Sequence, residues 1–204
     1  MRERWVIKLG GSLFGNPLLN DWLSAIGEHG KGRAVVVPGG GLFADAVRLA
    51  QKKTGFDDVT AHRLALLAMD QSAVMLAGLN QQLIPAKNRN EIDALLNAKQ
   101  IPIWLPSEMA MDCADIPASW NMTSDSLAAW LAEKISATNL LLVKSCPVPN
   151  GELNLEELAR QRVVDPLLPQ FAACGSFKTE MAAVDQPDSL ENVLANTDKL
   201  MRQM

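Results

Sequence analysis

Trp5-Val6-Ile7-Lys8-Leu9-Gly10-Gly11-Ser12 and Ala34-Val35-Val36-Val37-Pro38-Gly39-Gly40-Gly41 are the two stretches that decide the fold. In each, a run of aliphatic and β-branched residues ends in glycines. Trp5 to Leu9 and Ala34 to Val37 therefore read as strands, the second continuous enough to be covered on both faces. A helical pattern follows each glycine group: Leu18 to Glu28 after the first, and Phe43, Ala46, Val47 and Ala50 on one face after the second. A strand that runs through glycines into a helix, twice over, predicts a parallel sheet with crossover helices.

Further along, Val59 to Leu79 reads as a long helix that is apolar nearly all round, so it packs centrally or against another copy of the chain. A short helix is expected over Glu91 to Ala98 and a third strand over Ile101 to Leu105. Ser107 to Asn121 reads as a loop long enough to suggest a functional one. Thr123-Ser124-Asp125-Ser126 has the side chains of a helix cap, before a helix carrying Leu127, Ala128, Leu131 and Ile135. Leu140 to Val143 is a fourth strand, and weaker helical patterns cover Leu155 to Gln161 and Leu190 to Met201. With no internal repeat and no low-complexity linker, residues 1–204 read as a single domain.

Composition narrows the function. Of 204 residues 48% are hydrophobic and 21% charged, a globular balance. A net charge of −4, from 19 basic and 23 acidic side chains, does not supply the basic surface a general nucleic-acid binder needs. Cys113, Cys146 and Cys174 lie far apart, so they read as buried free thiols of a reducing compartment rather than a disulfide framework or zinc set. No apolar run approaches the ~20 residues of a membrane span. The first apolar stretch also breaks at Lys8-Leu9-Gly10-Gly11, unlike a signal peptide. A soluble, cytoplasmic protein with no membrane partner is expected.

Four groups of residues carry candidate chemistry. Lys8 precedes the Gly10-Gly11-Ser12 turn, where backbone N–H groups can approach an anion and a lysine can neutralise a transferring phosphoryl group. The GxxxxGK[ST] order is absent, so this is no Walker A loop. Gly39, Gly40 and Gly41 cost backbone entropy at a helix start unless something must come close. Asp125 is either part of a helix cap or a carboxylate that orients lysines around phosphates. Lys144 directly follows the apolar strand. In open α/β sheets ligands bind beyond the carboxyl ends of strands, and Lys8, the glycine triplet and Lys144 all fall at such ends. Each group alone has a bland explanation, but their convergence on one edge points to a phosphate site.

The blocks VIKLGGSL, VVVPGGG, TSDSLAAWLAE and LLLVKS, in that order, resemble the amino acid kinase family over roughly residues 5 to 145, with a weaker likeness at Val164-Asp165-Pro166. The resemblance implies a three-layer α/β/α sandwich with a mainly parallel sheet, and ATP- and Mg2+-dependent transfer to a carboxylate or phosphate. The stretch from Ala61 to Gln71, with Trp120-Asn121-Met122 before Thr123, is similar to the branch that phosphorylates a phosphate monoester in methanofuran biosynthesis, a pathway of one-carbon metabolism. Carried over residue by residue, Lys8 would stabilise the transferring group. Gly10, Gly11, Ser12, Thr123 and Ser124 would meet nucleotide phosphates, and Gly39 to Gly41 the acceptor's anionic end. Asp125 would organise the lysines, His62 could touch the acceptor, and no residue is assigned as a metal ligand. Residues 1–120 would form the acceptor part and 121–204 the nucleotide part.

The last third departs from the pattern. It lacks the Gly-Met-x-x-Lys segment that supplies a second phosphate-binding lysine in many relatives. Lys178 after Gly175-Ser176-Phe177 is a weak substitute, Lys144 stands where many relatives carry an acidic-glycine motif, and a closing strand is hard to find. Two readings remain open: a kinase acting on a small phosphorylated substrate, or a non-catalytic ligand- or oxyanion-binding homologue. The all-round apolar helix adds the expectation of a homo-oligomer, at least a dimer.

Overall fold

The computed structural model describes residues 3–149, 151, 153–191 and 193–194. Its six strands are β1 (Trp5–Leu9), β2 (Ala34–Pro38), β3 (Leu83–Ala86), β4 (Ile101–Trp104), β5 (Asn139–Lys144) and β6 (Lys178–Ala183). They form one sheet in the order β3-β4-β2-β1-β5-β6, every pair parallel. The helices are α1 (Leu19–His29), α2 (Gly41–Thr54), α3 (Asp58–Leu79), α4 (Arg89–Asn97), α5 (Ser107–Ala110), α6 (Ser124–Lys134), α7 (Leu155–Arg160) and α8 (Leu168–Cys174).

Alternation along the strands builds two cores. Val6, Val35, Val37, Leu140 and Leu142 face a cluster completed by α4, α6, α7 and α8. Trp5, Ile7, Leu9, Ala34, Val36, Leu141 and Val143 face the other, which holds α1, Ala73, Leu76, Leu190 and Leu194. Helices on both faces of a parallel sheet make the expected three-layer sandwich. The period of two also decides the chemistry, because Lys8 shares the face of Val6, and Lys144 that of Leu140 and Leu142.

Several expectations change. β3 and β6 had not been anticipated, nor had α8, and a short helix α5 opens the stretch read as a loop from Ser107. β2 runs through Pro38 rather than stopping before it. On α2 it is Ala44 that is buried, whereas Ala46 is exposed, because the helix packs on α3 at the rim. α3 buries one side, including Ala61, Leu66, Met69, Ala73 and Leu76, and exposes Val59, Leu67, Val74 and Leu79 on the other. The three cysteines are free, but none is buried: Cys113 and Cys146 are half-buried and Cys174 is exposed. The helix expected from Leu190 begins among described residues, and its remainder lies outside them. No helix among the described residues is long and apolar enough to cross a membrane.

Candidate active site

β1 and β5 are neighbours with Lys8 opposite Leu142, so Lys144 emerges just beyond Lys8 on the same face. That face is covered by α6, and Asp125 sits in its first turn. Lys8 Nζ lies 2.8 Å from Asp125 Oδ1, and Lys144 Nζ 2.5 Å from Oδ2. The three are nearly withdrawn from water, at 5%, 3% and 9% exposure respectively. Burial alone would raise the Asp125 pKa, but the charges of Lys8 and Lys144 outweigh it and hold the carboxyl below its ordinary range. Lys144 is shifted down by burial and by the Lys8 charge, against the pull of Asp125 and Asp165. The triad carries one net positive charge at the carboxyl edge of the sheet.

Asp165 was seen in the sequence only as part of a likeness, yet it anchors this centre. Its carboxylate accepts from the backbone N–H of Thr123 (3.0 Å) and Ser126 (2.9 Å) and from the Thr123 hydroxyl. Thr123 is thus the N-cap residue of α6 by position, but its side chain makes no cap bond. The capping carboxylate arrives from a distant segment. The Asp165 N–H in turn donates to Asp125 Oδ2 at 3.3 Å.

The two glycine turns lie against each other. Gly39 N–H donates to the Leu9 carbonyl at 2.7 Å. A Cβ on Gly39 would collide with the Gly11 nitrogen, and one on Gly11 with the backbone of Gly41, whose φ of +51° itself favours glycine. Ser12 Oγ lies 3.0 Å from Ser145 Oγ, tying the first turn to the segment after β5.

Beside the turns opens a cavity of about 310 Å³, lined by Gly11, Ser12, Gly40, Gly41, Thr123 and Ser124 among others. His62 lines it too, one turn into α3. It is 9% exposed, and its Nε2 has no partner among the described residues. Burial lowers the His62 pKa, while a hydrogen bond to the Ala110 backbone partly opposes the shift. Across the sheet edge, beyond Ser145, a second cavity of about 600 Å³ is bordered by Cys146, Val148, Met181, Ala183 and Asp185.

The residues singled out in sequence are therefore brought together. Gly10 belongs to the turn beside Lys8, and a Cβ there would lie 3.3 Å from Lys8 Nζ. Lys178 is the exception. It opens β6 opposite Asn139, at the amino edge of the sheet, where it is exposed and pairs with Glu180 at 2.8 Å. A strand length of roughly 16 Å separates it from the site edge, so it cannot serve as the second lysine. Trp120, part of the Trp120-Asn121-Met122 likeness, also lines the first cavity, as do Arg48 and Asp58, which carried no motif that marked them.

The chain is 29% identical over 140 residues to the [5-(aminomethyl)furan-3-yl]methyl phosphate kinase of Methanocaldococcus jannaschii, a match covering 67% of this chain and 63% of that one. It thus spans less than two thirds of that curated relative. Among solved structures it resembles the uridylate kinase of Archaeoglobus fulgidus (TM-score 0.70, 17% identity, 94% of this chain and 95% of that one). It is similar also to the UMP kinase of Ureaplasma parvum (TM-score 0.71, 17% identity, 95% of each chain). An isopentenyl phosphate kinase matches at a TM-score of 0.58 and 14% identity, over 95% of this chain and 96% of that one. The sequence model of the amino acid kinase family matches residues 3–148, which hold both glycine turns and the whole lysine–aspartate–lysine triad, and the chain belongs to the amino acid kinase family.

Proposed function

We propose that this protein is a kinase that transfers the γ-phosphoryl group of ATP to a phosphate monoester, giving a diphosphate, in the biosynthesis of a methanofuran-type cofactor of one-carbon metabolism. The observation that carries this reading is the buried Lys8–Asp125–Lys144 triad at the sheet edge, whose chain neighbours Ser124 and Ser145 border the first and the second cavity respectively. The named activity of the M. jannaschii relative supports the acceptor. The intact triad favours a kinase over a non-catalytic oxyanion binder, since Lys144 provides the second cation that Lys178 does not.

The acceptor occupies the smaller cavity, with its phosphate at Gly39 to Gly41 and near His62. The nucleotide lies over the second cavity, its phosphates reaching Gly10, Gly11, Ser12, Thr123 and Ser124. Residues 1–120 thus serve mainly the acceptor, and 121–204 the nucleotide. Lys8 and Lys144 neutralise charge on the phosphoryl group in flight, and Asp125 fixes where their ammonium groups stand. An acceptor that is already a phosphate needs no general base, so positioning and charge carry the catalysis.

No group of three or more metal-ligating side chains is gathered among the described residues, and Asp125 is engaged by two lysines. A magnesium ion would therefore be held largely by phosphate oxygens, whose charge it neutralises when bound. The reaction is assigned to the cytoplasm. The exposed apolar side of α2 and α3, with Leu42, Leu49, Leu67 and Val74, is assigned to contact with a second copy. Light scattering at micromolar concentration checks this, a monomer refuting it.

The test is calorimetric titration with a magnesium complex of a non-hydrolysable ATP analogue, with and without a furanylmethyl phosphate, followed by phosphorus NMR of the ATP reaction. Nucleotide binding strengthened by the acceptor, and a diphosphate product, are expected. Acceptor binding without nucleotide binding would overturn the assignment.

A further inference from the structure

We propose that Trp120 is the end wall of the acceptor cavity and the residue that sets how long an acceptor the protein takes. The inference rests on the kinase reading, which puts the acceptor's phosphate at the second glycine turn, and goes beyond it by naming what stops the other end. Trp120 is half-buried and rides on a short strap, residues 117–121, between two anchors. Ile116 and Met122 are 7% and 3% exposed and belong to the core on the α6 face of the sheet. A bond from the Met122 N–H to the Ser119 carbonyl (3.1 Å) closes the turn between them, and the Asn121 N–H donates to Ser119 Oγ at 3.1 Å. From this turn the indole reaches across to α2.

Two residues of α2 hold the ring in place. Its N–H donates to Gln51 Oε1 at 2.8 Å, and the Arg48 guanidinium lies over its face, 4.3 Å from the centroid. Each partner is itself fixed. The Gln51 amide nitrogen donates to the Phe56 carbonyl at 3.3 Å and to Asp58 Oδ1 at 2.9 Å, which turns its oxygen toward the indole. Arg48 pairs with Asp45 at 3.0 Å. Such polar pins suit an indole with one side on an apolar cavity and the other wet. Gly41 opens α2, and Arg48 and Gln51 lie seven and ten residues further along it, about 10 and 15 Å at the helical rise. The pinned ring therefore stands well away from the glycine turn, in a cavity lined by the apolar Leu66, Met69, Met122 and Leu127. At about 310 Å³ this cavity is at the small end of the roughly 300–1,000 Å³ usual for ligand sites. A molecule longer than the gap must break the indole's hydrogen bond and push the ring off Arg48, whereas a short one leaves both contacts intact.

The experiment compares a furanylmethyl phosphate with the same ester bearing a hexyl chain on its ring, by calorimetric titration and by kcat/KM with ATP. Wild type, Trp120→Ala, Trp120→Phe and Gln51→Met are measured. The wild type should favour the short ester a hundredfold or more in kcat/KM, because the long one meets a fixed wall. Trp120→Ala should cut that ratio at least tenfold, and Trp120→Phe should retain most of it. Gln51→Met keeps the ring but removes its pin, and should cut the ratio by less than Trp120→Ala does. A ratio unchanged in Trp120→Ala, or a wild type that takes both esters alike, overturns the wall and leaves the kinase reading standing. Should Trp120→Ala fail to fold, Gln51→Met decides, and an unchanged ratio there overturns the wall. If the wild type binds the short ester without phosphorylating it, the kinase reading falls and the ratio of the two affinities decides the wall in its place. Binding of neither ester overturns both.

Discussion

Replacing Asp125 by Asn keeps the shape of the side chain and removes the one negative charge between two buried lysines. The ammonium groups touch opposite oxygens of the carboxylate, at 2.8 and 2.5 Å. They therefore stand roughly 6 Å apart, which at an effective dielectric of about 20 means about 3 kcal/mol of unscreened repulsion once the carboxylate is gone. That agrees with the 3–5 kcal/mol typical of breaking a buried pair. For a chain of this length, about 3 kcal/mol corresponds to a Tm lower by roughly 6–12 °C. Lys144, whose proton affinity burial and Lys8 already depress, is the group that sheds its proton to relieve the strain. A polyphosphate restores the missing negative charge, so an ATP analogue should raise the Tm of Asp125→Asn by more than it raises that of the wild type. Turnover should nevertheless fall a hundredfold or more, because the lysines lose their fixed positions. The assay is differential scanning fluorimetry with and without the analogue, together with steady-state kinetics. A variant as stable as the wild type, with an unchanged response to the analogue, would refute the reasoning.

Lys8→Ala should lower kcat far more than it weakens acceptor binding, and equal loss of both, measured by kinetics and titration, would remove Lys8 from the transfer step. The depressed pKa of Lys144 means that its charge is lost, as pH rises, before the ordinary lysine value of 10.5 is reached, so kcat/KM should decline early on the alkaline side. Over the same interval the unfolded chain binds more protons than the folded one, so stability should rise with pH while activity falls. Lys144→Arg should abolish that limb because a guanidinium stays charged, and an unchanged pH profile would assign the limb elsewhere. Gly39→Ala drives a methyl into the Gly11 nitrogen and should abolish activity and lower the Tm. Gly78→Ala, which meets nothing within 4 Å on its helix, should be neutral or stabilise by about 0.5–1 kcal/mol in chemical denaturation.

The four inner strands were readable in the sequence and the two edge strands were not, for a physical reason. β1, β2, β4 and β5 are buried along their whole length and show as mostly apolar runs, broken in β1 by Lys8 and bounded in β5 by Asn139 and Lys144. β3, Leu83-Ile84-Pro85-Ala86, is an edge strand with a half-exposed middle, and its proline is tolerated because an edge need not donate on both sides. β6, Lys178-Thr179-Glu180-Met181-Ala182-Ala183, has the composition of a helix and becomes a strand by pairing with β5. Tertiary pairing overrides propensity there. In the site, Lys8, Asp125, Lys144 and the glycines were legible because strand ends and helix starts are marked by local residue patterns. Asp165 acts across space, capping a helix some forty residues away. No local spacing encodes that contact.

The second cation of the triad comes from the end of β5 rather than from further along the chain. A cation at this centre must reach Asp125 from the face that α6 covers. Strand parity restricts such positions on β5 to Leu140, Leu142 and Lys144, and the first two fill the core beneath α6. Lys144 is thus the β5 position that shares the Lys8 face and lies beyond the packed interior. Because β5 is hydrogen-bonded on both sides, to β1 and β6, the backbone under this lysine is fixed by ladders rather than carried on a loop. The segment after β5 is then free of the need to deliver a cation. Its contribution instead runs through Asp165, whose carboxylate caps α6 while its N–H holds Asp125, so the last third steadies the carboxylate that steadies the lysines. Asp165→Asn should therefore affect turnover through the position of Asp125: kcat falls, the KM for the acceptor holds, and the alkaline limb set by Lys144 shifts. A loss of stability with kcat per folded molecule and that limb both unchanged would reduce Asp165 to a helix cap.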